Sequence, residues 1–442
     1  MTTGRQQFPE HVFALVDCDN FFVSCERLFR PELEGRAVVV LSSNDGCVVA
    51  RSNESKALGI PMGAPAFKYR QFFKDQSVIQ FSANFELYGD ISRRITAILA
   101  KTVPHAEVYS VDESFLNLSE FGIADYAQWG KTLRQNVFRA VGIPVSIGIA
   151  ATKTLAKLGS DYAKRNHDLG GAMDLVNITN EEHQSYLINF PIEKVWGVGR
   201  RLAPKLHAEG INNALDLSRL RPNRARQLMG LRGLQMVNEL NGISCHGFNP
   251  QRSQHQTIMR SRTFGEDTNR LDVLEAAIVS LTTQAAWQAR SERQLVHQAS
   301  FFLNSNRHKP GYASWHEAIN FTMPTNDSGN IGRLILERLK TIYNERQWYH
   351  RAGVTLYDFI PEEILQMDLL GEIQPNIHDA SRARMSAIDA INSQYGRHHI
   401  YYAAEDLSKS WRPKHNLESP HYVSSWDELP EVYYSQFQQA VR

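Results

Sequence analysis

Val12-Phe13-Ala14-Leu15-Val16-Asp17-Cys18-Asp19-Asn20 is an apolar run that ends on a carboxylate and passes at once into a helix-like stretch, from about Asn20 to Leu28, which Pro31 stops. A buried strand that delivers an acidic side chain to its own end is the feature on which the fold turns. Such a carboxylate is unsatisfied by its apolar neighbours. It must cap a helix, pair with a base or hold a metal. As a helix cap, Asp17 would serve the 20–28 segment.

Outward from this strand, Val38–Leu41 and Cys47–Ala50 read as two further strands separated by the turn-forming Ser42-Ser43-Asn44-Asp45-Gly46. A helical pattern recurs between about 86 and 100. Glu107–Glu113 and Ser114–Leu118 resemble two short arms of a hairpin with Asp112 and Glu113 at the bend. A helix near 125–141, a strand over Val145–Ile149 and a helix from Lys153 to Lys164 complete an α/β unit, with a small inserted lobe around 31–83. Residues 191–247 change character, to short helices broken by glycines at 197, 199, 210, 230, 233 and 242. A loop-rich linker, 248–256 at its core, then leads to a second alternating module. There Leu271, Leu274, Ile278, Leu281 and Ala285 lie on one helical face, as do Ile331, Leu334, Ile335, Leu339 and Ile342. Strands at 257–262, 296–303, 316–323 and 353–360 give the order β-α-β-β-α-β, a split-βαβ sandwich. The expected fold class is α/β (α+β) and multi-domain.

Composition limits the alternatives. At about 100–200 residues per domain, 442 residues make three or four units. Forty-two per cent hydrophobic and 21% charged residues exclude disorder, collagen and coiled coil as the main architecture. No apolar run approaches the roughly 18 residues a bilayer span needs, and the polar Met1–Gln7 segment lacks a signal core, so a cytoplasmic protein with no membrane-spanning segment is expected. Cys18, Cys25, Cys47 and Cys245 form no C-x-x-C pair and read as small buried hydrophobes. The net charge of +1 hides a segregation. Residues 191–252 carry 10 basic and 4 acidic side chains, whereas 361–442 carry 7 and 12. A basic module ahead of an acidic tail suits a polyanionic partner, although an ordinary basic face would give the same count.

The chemistry rests on a constellation. Asp17, Asp112 and Glu113 are three carboxylates near strand ends of one α/β unit, which is what two Mg²⁺ ions require, since hard cations take oxygen ligands. Taken singly, Asp112 and Glu113 could be turn residues. Lys153, Lys157 and Lys164 share one helix face. That face is either solvated or, with Arg51 and Lys56, a site for nucleotide phosphates. In the basic module, Trp196-Gly197-Val198-Gly199-Arg200-Arg201 reads as a Gly-x-Gly turn presenting backbone N–H groups to DNA phosphates, or as a plain helix end.

Read together, these residues resemble the Y-family of DNA polymerases and, within it, the UmuC-type branch that supplies the catalytic subunit of bacterial DNA polymerase V. The resemblance is carried by Val16–Glu26, Asn44–Arg51, Tyr109–Phe115, Gly148–Lys157, Val195–Arg201 and Arg260–Glu266, and it runs over nearly the whole chain. It implies a right-hand polymerase: palm at 11–30 and 84–177, fingers at 31–83, a helix-hairpin-helix thumb at 178–247, a little finger at 257–360 and a C-terminal tail at 361–442. It implies that Asp17, Asp112 and Glu113, with the backbone carbonyl of Cys18, hold two Mg²⁺ ions. Phe22, beside Phe21, would be the steric gate under the incoming sugar. Asn53, Lys56 and Lys164 would contact the triphosphate. Gly197, Val198, Gly199, Arg200, Arg201, Arg260 and Arg262 would contact DNA.

The resemblance further implies error-prone translesion synthesis in the SOS response, on primer-template DNA and dNTPs. The implied partners are a processed UmuD-type dimer, a RecA filament and the sliding clamp. Gln366-Met367-Asp368-Leu369-Leu370 resembles a clamp-docking peptide, with Gln366, Leu369 and Leu370 as anchors and Leu in place of the usual Phe. Phe22 stands where Tyr is common, and Lys56 where many members have Arg. The segment from Trp411 to Tyr422 also resembles the UmuC-type tail. Two other readings compete: a catalytically silent DNA- and clamp-binding scaffold, and a nucleotidyl cyclase, which would lack the thumb and little-finger modules.

Overall fold

The structure, a computed structural model, describes residues 10–249, 254–364, 375–396, 399–405 and 411–431. The clamp-like segment with Gln366, Leu369 and Leu370 lies outside the described residues. The chain divides into two compact units: Met1–Leu41 with Cys47–Arg252 and Leu417–Arg442, and Ser42–Gly46 with Ser253–Asn416.

In the first unit, β1 (Phe13–Cys18) leads into α1 (Phe21–Phe29). A small three-stranded sheet follows, of β2 (Val38–Leu41), β3 (Val48–Arg51) and, after α2 (Asn53–Ala57) and α3 (Ala66–Asp75), β4 (Ile79–Ser82). The chain continues through α4 (Phe85–Thr102), β5 (Ala106–Val108), β6 (Glu113–Asn117), α5 (Tyr126–Val141), β7 (Val145–Ala150), α6 (Lys153–Arg165) and β8 (Ala172–Asp174). The main sheet has the order β5-β6-β1-β7-β8. Its central strand β1 is antiparallel to both neighbours. Ala14, Leu15, Phe115, Ile147 and Ile149 are fully buried, which explains why β1 and β7 are apolar at successive positions: helices cover both faces. The larger of these, Leu15, Phe115, Ile147 and Ile149, contribute about 1.5–3 kcal/mol each. Four helices then follow, α7 (Asn180–Ile188) and, in the basic module, α8 (Ala203–Ala208), α9 (Ala214–Ser218) and α10 (Pro222–Leu240), the last broken at Gly230, where φ is +69°.

The second unit carries the expected β-α-β-β-α-β order: β9 (Thr257–Thr268), α11 (Leu271–Ser291), β10 (Gln294–Asn304), β11 (Ser314–Thr325), α12 (Ser328–Ile342) and β12 (Tyr349–Pro361). Its antiparallel sheet runs β11-β10-β12-β9. Leu274, Ile278, Leu281 and Ala285 of α11 and Ile331, Ile335 and Leu339 of α12 are buried against it, as their periodicity predicts. A further helix, α13 (Pro375–Tyr395), belongs to this unit through a double contact of Arg290 with Asp389 at 2.7 and 2.9 Å. The tail is not a single appendage: Trp411 is buried in the second unit's core, whereas Leu417 to Val423 belongs to the first. No described helix is long and apolar enough to cross a membrane.

Candidate active site

Antiparallel pairing brings the carboxylates together. Asp17, at the end of β1, lies opposite Glu113 on β6 and Ser146 on β7. The Cys18 N–H donates to the Asp112 carbonyl at 2.9 Å, so the bend that carries Asp112 is tied to the end of β1. Asp17 does not cap α1. Asn20 holds that position with a left-handed φ of 48°, and no side chain caps it. Turn chemistry accounts for part of Asp112, whose Oδ1 accepts from Ser110 Oγ at 2.6 Å. Glu113 is already the first residue of β6 and is no turn residue.

Helix α6 supplies the opposing charges. Lys164 Nζ donates to Asp17 Oδ1 at 2.5 Å and stands 3.9 Å from Asp19. Lys157 Nζ donates to both oxygens of Glu113 at 2.8 Å. Lys153, almost wholly buried, bonds both oxygens of Glu107 and the Gly247 carbonyl. The shared lysine face is therefore not a solvated one. Its placement depends on Gly148 of β7: a Cβ there would sit 2.1 Å from the Ala156 carbonyl oxygen and 2.2 Å from Ser160 N. Only glycine lets α6 approach this closely.

Electrostatics mark Asp17. Burial, reinforced by Glu113 and Asp112, pushes its carboxyl up to about 7, against the pull of Lys164. Burial also raises Asp19, although Lys164, Ser146 and Arg134 oppose it. Burial alone would lower Lys164, but Asp17, with its hydrogen bond, and Asp19 outweigh it and hold the ammonium above its usual range. As the side chains stand, no group of three or more His, Cys, Asp or Glu among the described residues is arranged around one metal position. The donor set nonetheless suits a hard cation: oxygens only, on adjoining strand ends, with like charges close enough to raise Asp17. Lys164 and Lys157 bond the Asp17 and Glu113 oxygens that such a cation would take.

Around this cluster lie the other expected contacts. Lys56 Nζ donates to Asn20 Oδ1 at 2.5 Å and to Asn53 Oδ1 at 3.3 Å. Burial, then Lys164 and Arg51, lowers its pKa. Phe22 is half-buried and stacks on Tyr88, centroids 4.4 Å apart and planes 12° apart, with Phe85 edge-on at 6.0 Å. Phe21 is buried beside it. Cys18 and Cys25 are buried, but Cys47 and Cys245 are only half so.

The turn at Gly197-Val198-Gly199 precedes α8 by several residues, so it does not sit at that helix's first turn. Gly197 has φ +95°, and a Cβ there would meet Met236 Sδ at 3.0 Å. Val198 is buried, while Arg200 and Arg201 are exposed. In the second unit, Arg262 is exposed, but Arg260 is half-buried and bonded to Gln288 of α11, so the two arginines are not equivalent surface contacts. Sequence reasoning missed a polar hollow of about 310 Å³ in that unit, lined by Arg307, His308, His350 and Arg351 among others. It also missed the Asp19–Ser146 bond at 2.8 Å and the Glu107–Lys153 pair. The sign available in advance was the small residues of β7, which betray a close helix.

The chain matches the impB/mucB/samB family over residues 16–161, the C-terminal domain of that family over 255–369 and the IMS family HHH motif over 180–211. A domain of unknown function (DUF4113) matches 383–432. Protein UmuC of Salmonella typhimurium is 37% identical over 95% of this chain and 100% of its own length. DNA polymerase IV of Lactococcus lactis is 28% identical over 61% of this chain and 74% of its own length. A solved chimera of the Y-family DNA polymerases Dbh and Dpo4 shares the fold, with a TM-score of 0.62 and 21% identity over 79% of this chain and 99% of the chimera.

Proposed function

The chain belongs to the Y-family DNA polymerases, on the UmuC-type branch, and from that premise we propose that Asp17, Asp112 and Glu113 are the centre of its two-metal nucleotidyl transfer. It is a DNA-directed DNA polymerase of the translesion class, dependent on a divalent metal. The observation that carries the site assignment is the pairing of Asp17 and Glu113 across β1 and β6, each held by a lysine of α6.

Two Mg²⁺ ions, held by Asp17, Asp112, Glu113 and the Cys18 carbonyl, would lower the pKa of the primer 3′-OH and neutralise the triphosphate and the departing pyrophosphate. The chain's own groups do the positioning. Lys164 and Lys157, which pair with Asp17 and Glu113, would release these carboxylates to bound cations, and Lys164, with Lys56 and Asn53, would contact triphosphate oxygens. The ring of Phe22, braced by Tyr88, lies under the sugar and leaves no room for a 2′-OH. Arg200 and Arg201, with the backbone of Gly197 to Gly199, grip DNA phosphates, as does Arg262; Arg260 acts through Gln288.

We assign the protein to damage bypass in the SOS response, in the cytoplasm. Its partners in this reading are a processed UmuD-type dimer, a RecA filament and a sliding clamp bound through Gln366, Leu369 and Leu370. The test is Mg²⁺-dependent extension of a primed template with an abasic site, wild type beside Asp112→Asn, with dimer and filament supplied. Extension by wild type alone is expected. Equal extension by Asp112→Asn would sink the assignment. DNA binding without extension by either, indifferent to Mg²⁺ and dNTPs, would favour the silent scaffold.

A further inference from the structure

The tail segment from Leu417 to Val423 is built into the first unit, against β4, the start of α4 and the last turn of α1. It lies beside β4 as a short parallel bridge, with Ser82 N donating to Leu417 O at 2.9 Å and Leu417 N to Ser82 Oγ at 2.9 Å. Ser419 is 4% exposed and accepts from Asn84 Nδ2 at 3.1 Å. Asn84 in turn caps α4, its Oδ1 accepting from Leu87 N at 3.1 Å. Tyr422 is buried and stacks on Phe29 of α1, centroids 4.4 Å apart and planes 5° apart.

Phe22, Glu26 and Phe29 step by four and three along α1 and so share one face. At one end of that face Phe22 stacks on Tyr88 of α4. In the middle, the Tyr88 hydroxyl donates to Glu26 Oε1 at 2.6 Å, and Ser419 bears on Tyr88 through Asn84, whose carbonyl accepts from Tyr88 N at 3.1 Å. At the far end Tyr422 covers Phe29. Glu26 has no solvent exposure and lies amid apolar side chains. A buried carboxyl is a costly way to join two helices when an apolar residue would serve, unless its directionality matters. Hydrogen bonds fix an angle and a distance, as apolar contact does not. Here what is fixed is the ring on which Phe22 rests.

We infer that residues Leu417–Val423 are a positioning element of the nucleotide site, setting through Asn84, Tyr88 and Phe29 how deeply Phe22 sits under the incoming sugar, and so tuning dNTP binding and ribose exclusion. This rests on the reading of Phe22 given above. Ser419 and Tyr422 act through other residues and touch no substrate.

The test uses the full chain with its accessory proteins and single-nucleotide incorporation, measuring dNTP KM, kcat, dNTP-over-rNTP selectivity and primer-template Kd. Ser419→Ala and Tyr422→Ala are expected to raise dNTP KM and lower selectivity by roughly 3–10-fold with primer-template Kd unchanged. Tyr422→Phe, which keeps the stacked ring, should restore wild-type values. Loss of active enzyme with unchanged KM and selectivity would show that the segment only holds the fold and would overturn the inference. Phe22→Ala separates the two levels. If it leaves selectivity intact, the gate reading fails and takes the inference with it. If it abolishes selectivity while Ser419→Ala and Tyr422→Ala change nothing, the inference alone fails.

Discussion

Two aspartates, one buried and one half-buried, each at the end of an element, have opposite fates. Asp327 caps α12 in the second unit, with its side chain 1% exposed. Its Oδ1 accepts from Gly329 N at 2.8 Å and Asn330 N at 3.2 Å; its Oδ2 accepts from Ser381 at 2.5 Å and from Arg384 of α13. Burial alone would raise its pKa, but the bonds from Ser381, Asn330 and Arg384 outweigh burial and hold it below the usual range. Asp17, 16% exposed, has Lys164 as its one hydrogen-bonding cation among the described residues and two further carboxylates nearby, and it is pushed up to about 7. The lesson is that withdrawal from water does not classify a carboxylate; its donors do. A satisfied carboxylate belongs to the scaffold. A crowded, under-supplied one is a candidate for function.

The largest effect expected from this contrast is at Asp17. Asp17→Asn should lower primer extension by about a thousandfold or more, because the ligand charge is lost where transition-state charge develops. It should leave the melting temperature of the metal-free protein unchanged or higher, since a neutral amide removes a buried like charge. Primer extension and thermal melting on one preparation would check both. A large fall in melting temperature would make Asp17 a structural residue like Asp327.

Asp327→Ala is the mirror image. It removes the cap and leaves Arg384 and two backbone donors without their acceptor. A loss of about 1–3 kcal/mol is expected in a denaturant melt. Nucleotide incorporation per folded molecule should keep its KM for dNTP, since Asp327 serves the second unit through Gly329, Asn330, Ser381 and Arg384. A change in that KM would break the contrast.

How far the sequence discloses this difference can be argued from particular residues. The carboxylate at the end of β1 is visible because an apolar run has no local use for it. The 153/157/164 spacing shows that three lysines share a face. It leaves open whether they meet solvent or phosphate, and the structure adds a third answer: they pair with Glu107, Glu113 and Asp17. Gly148 explains that answer, yet its meaning depends on a helix whose path sequence does not reveal. Arg260 and Arg262 look equivalent on one strand, and Gln288 of α11 makes them unequal. Ser419 and Tyr422 were least legible. Their partners Asn84 and Phe29 lie hundreds of residues upstream, and a short polar-aromatic stretch has no periodicity to announce a face. Local chemistry was readable; the pairings between distant segments, which decide the use of each charge, were not.

The smallest effect expected is also the sharpest discriminator, because its sign differs between the two aspartates. Asp17 has a folded pKa above its ordinary 3.8. The folded state therefore holds this proton more tightly than the unfolded chain, and deprotonation between pH 3.8 and about 7 lowers stability. Against Asp17→Asn, which stays neutral throughout, wild type should lose melting temperature steadily as pH rises through that window and then level off. Asp327 has a folded pKa below 3.8. Its contribution is fully present above that value and disappears as pH falls below it, so wild type should keep its margin over Asp327→Asn from neutral pH down to about pH 4 and lose it only in stronger acid. Both series should be run without divalent cations, since a bound cation would favour the charged form of Asp17 and erase its slope. Melting curves of wild type and the two variants at half-unit pH steps would check this. Slopes of the same sign would show that the two carboxylates are stabilised alike, and the distinction drawn between scaffold and site would fail on its own terms.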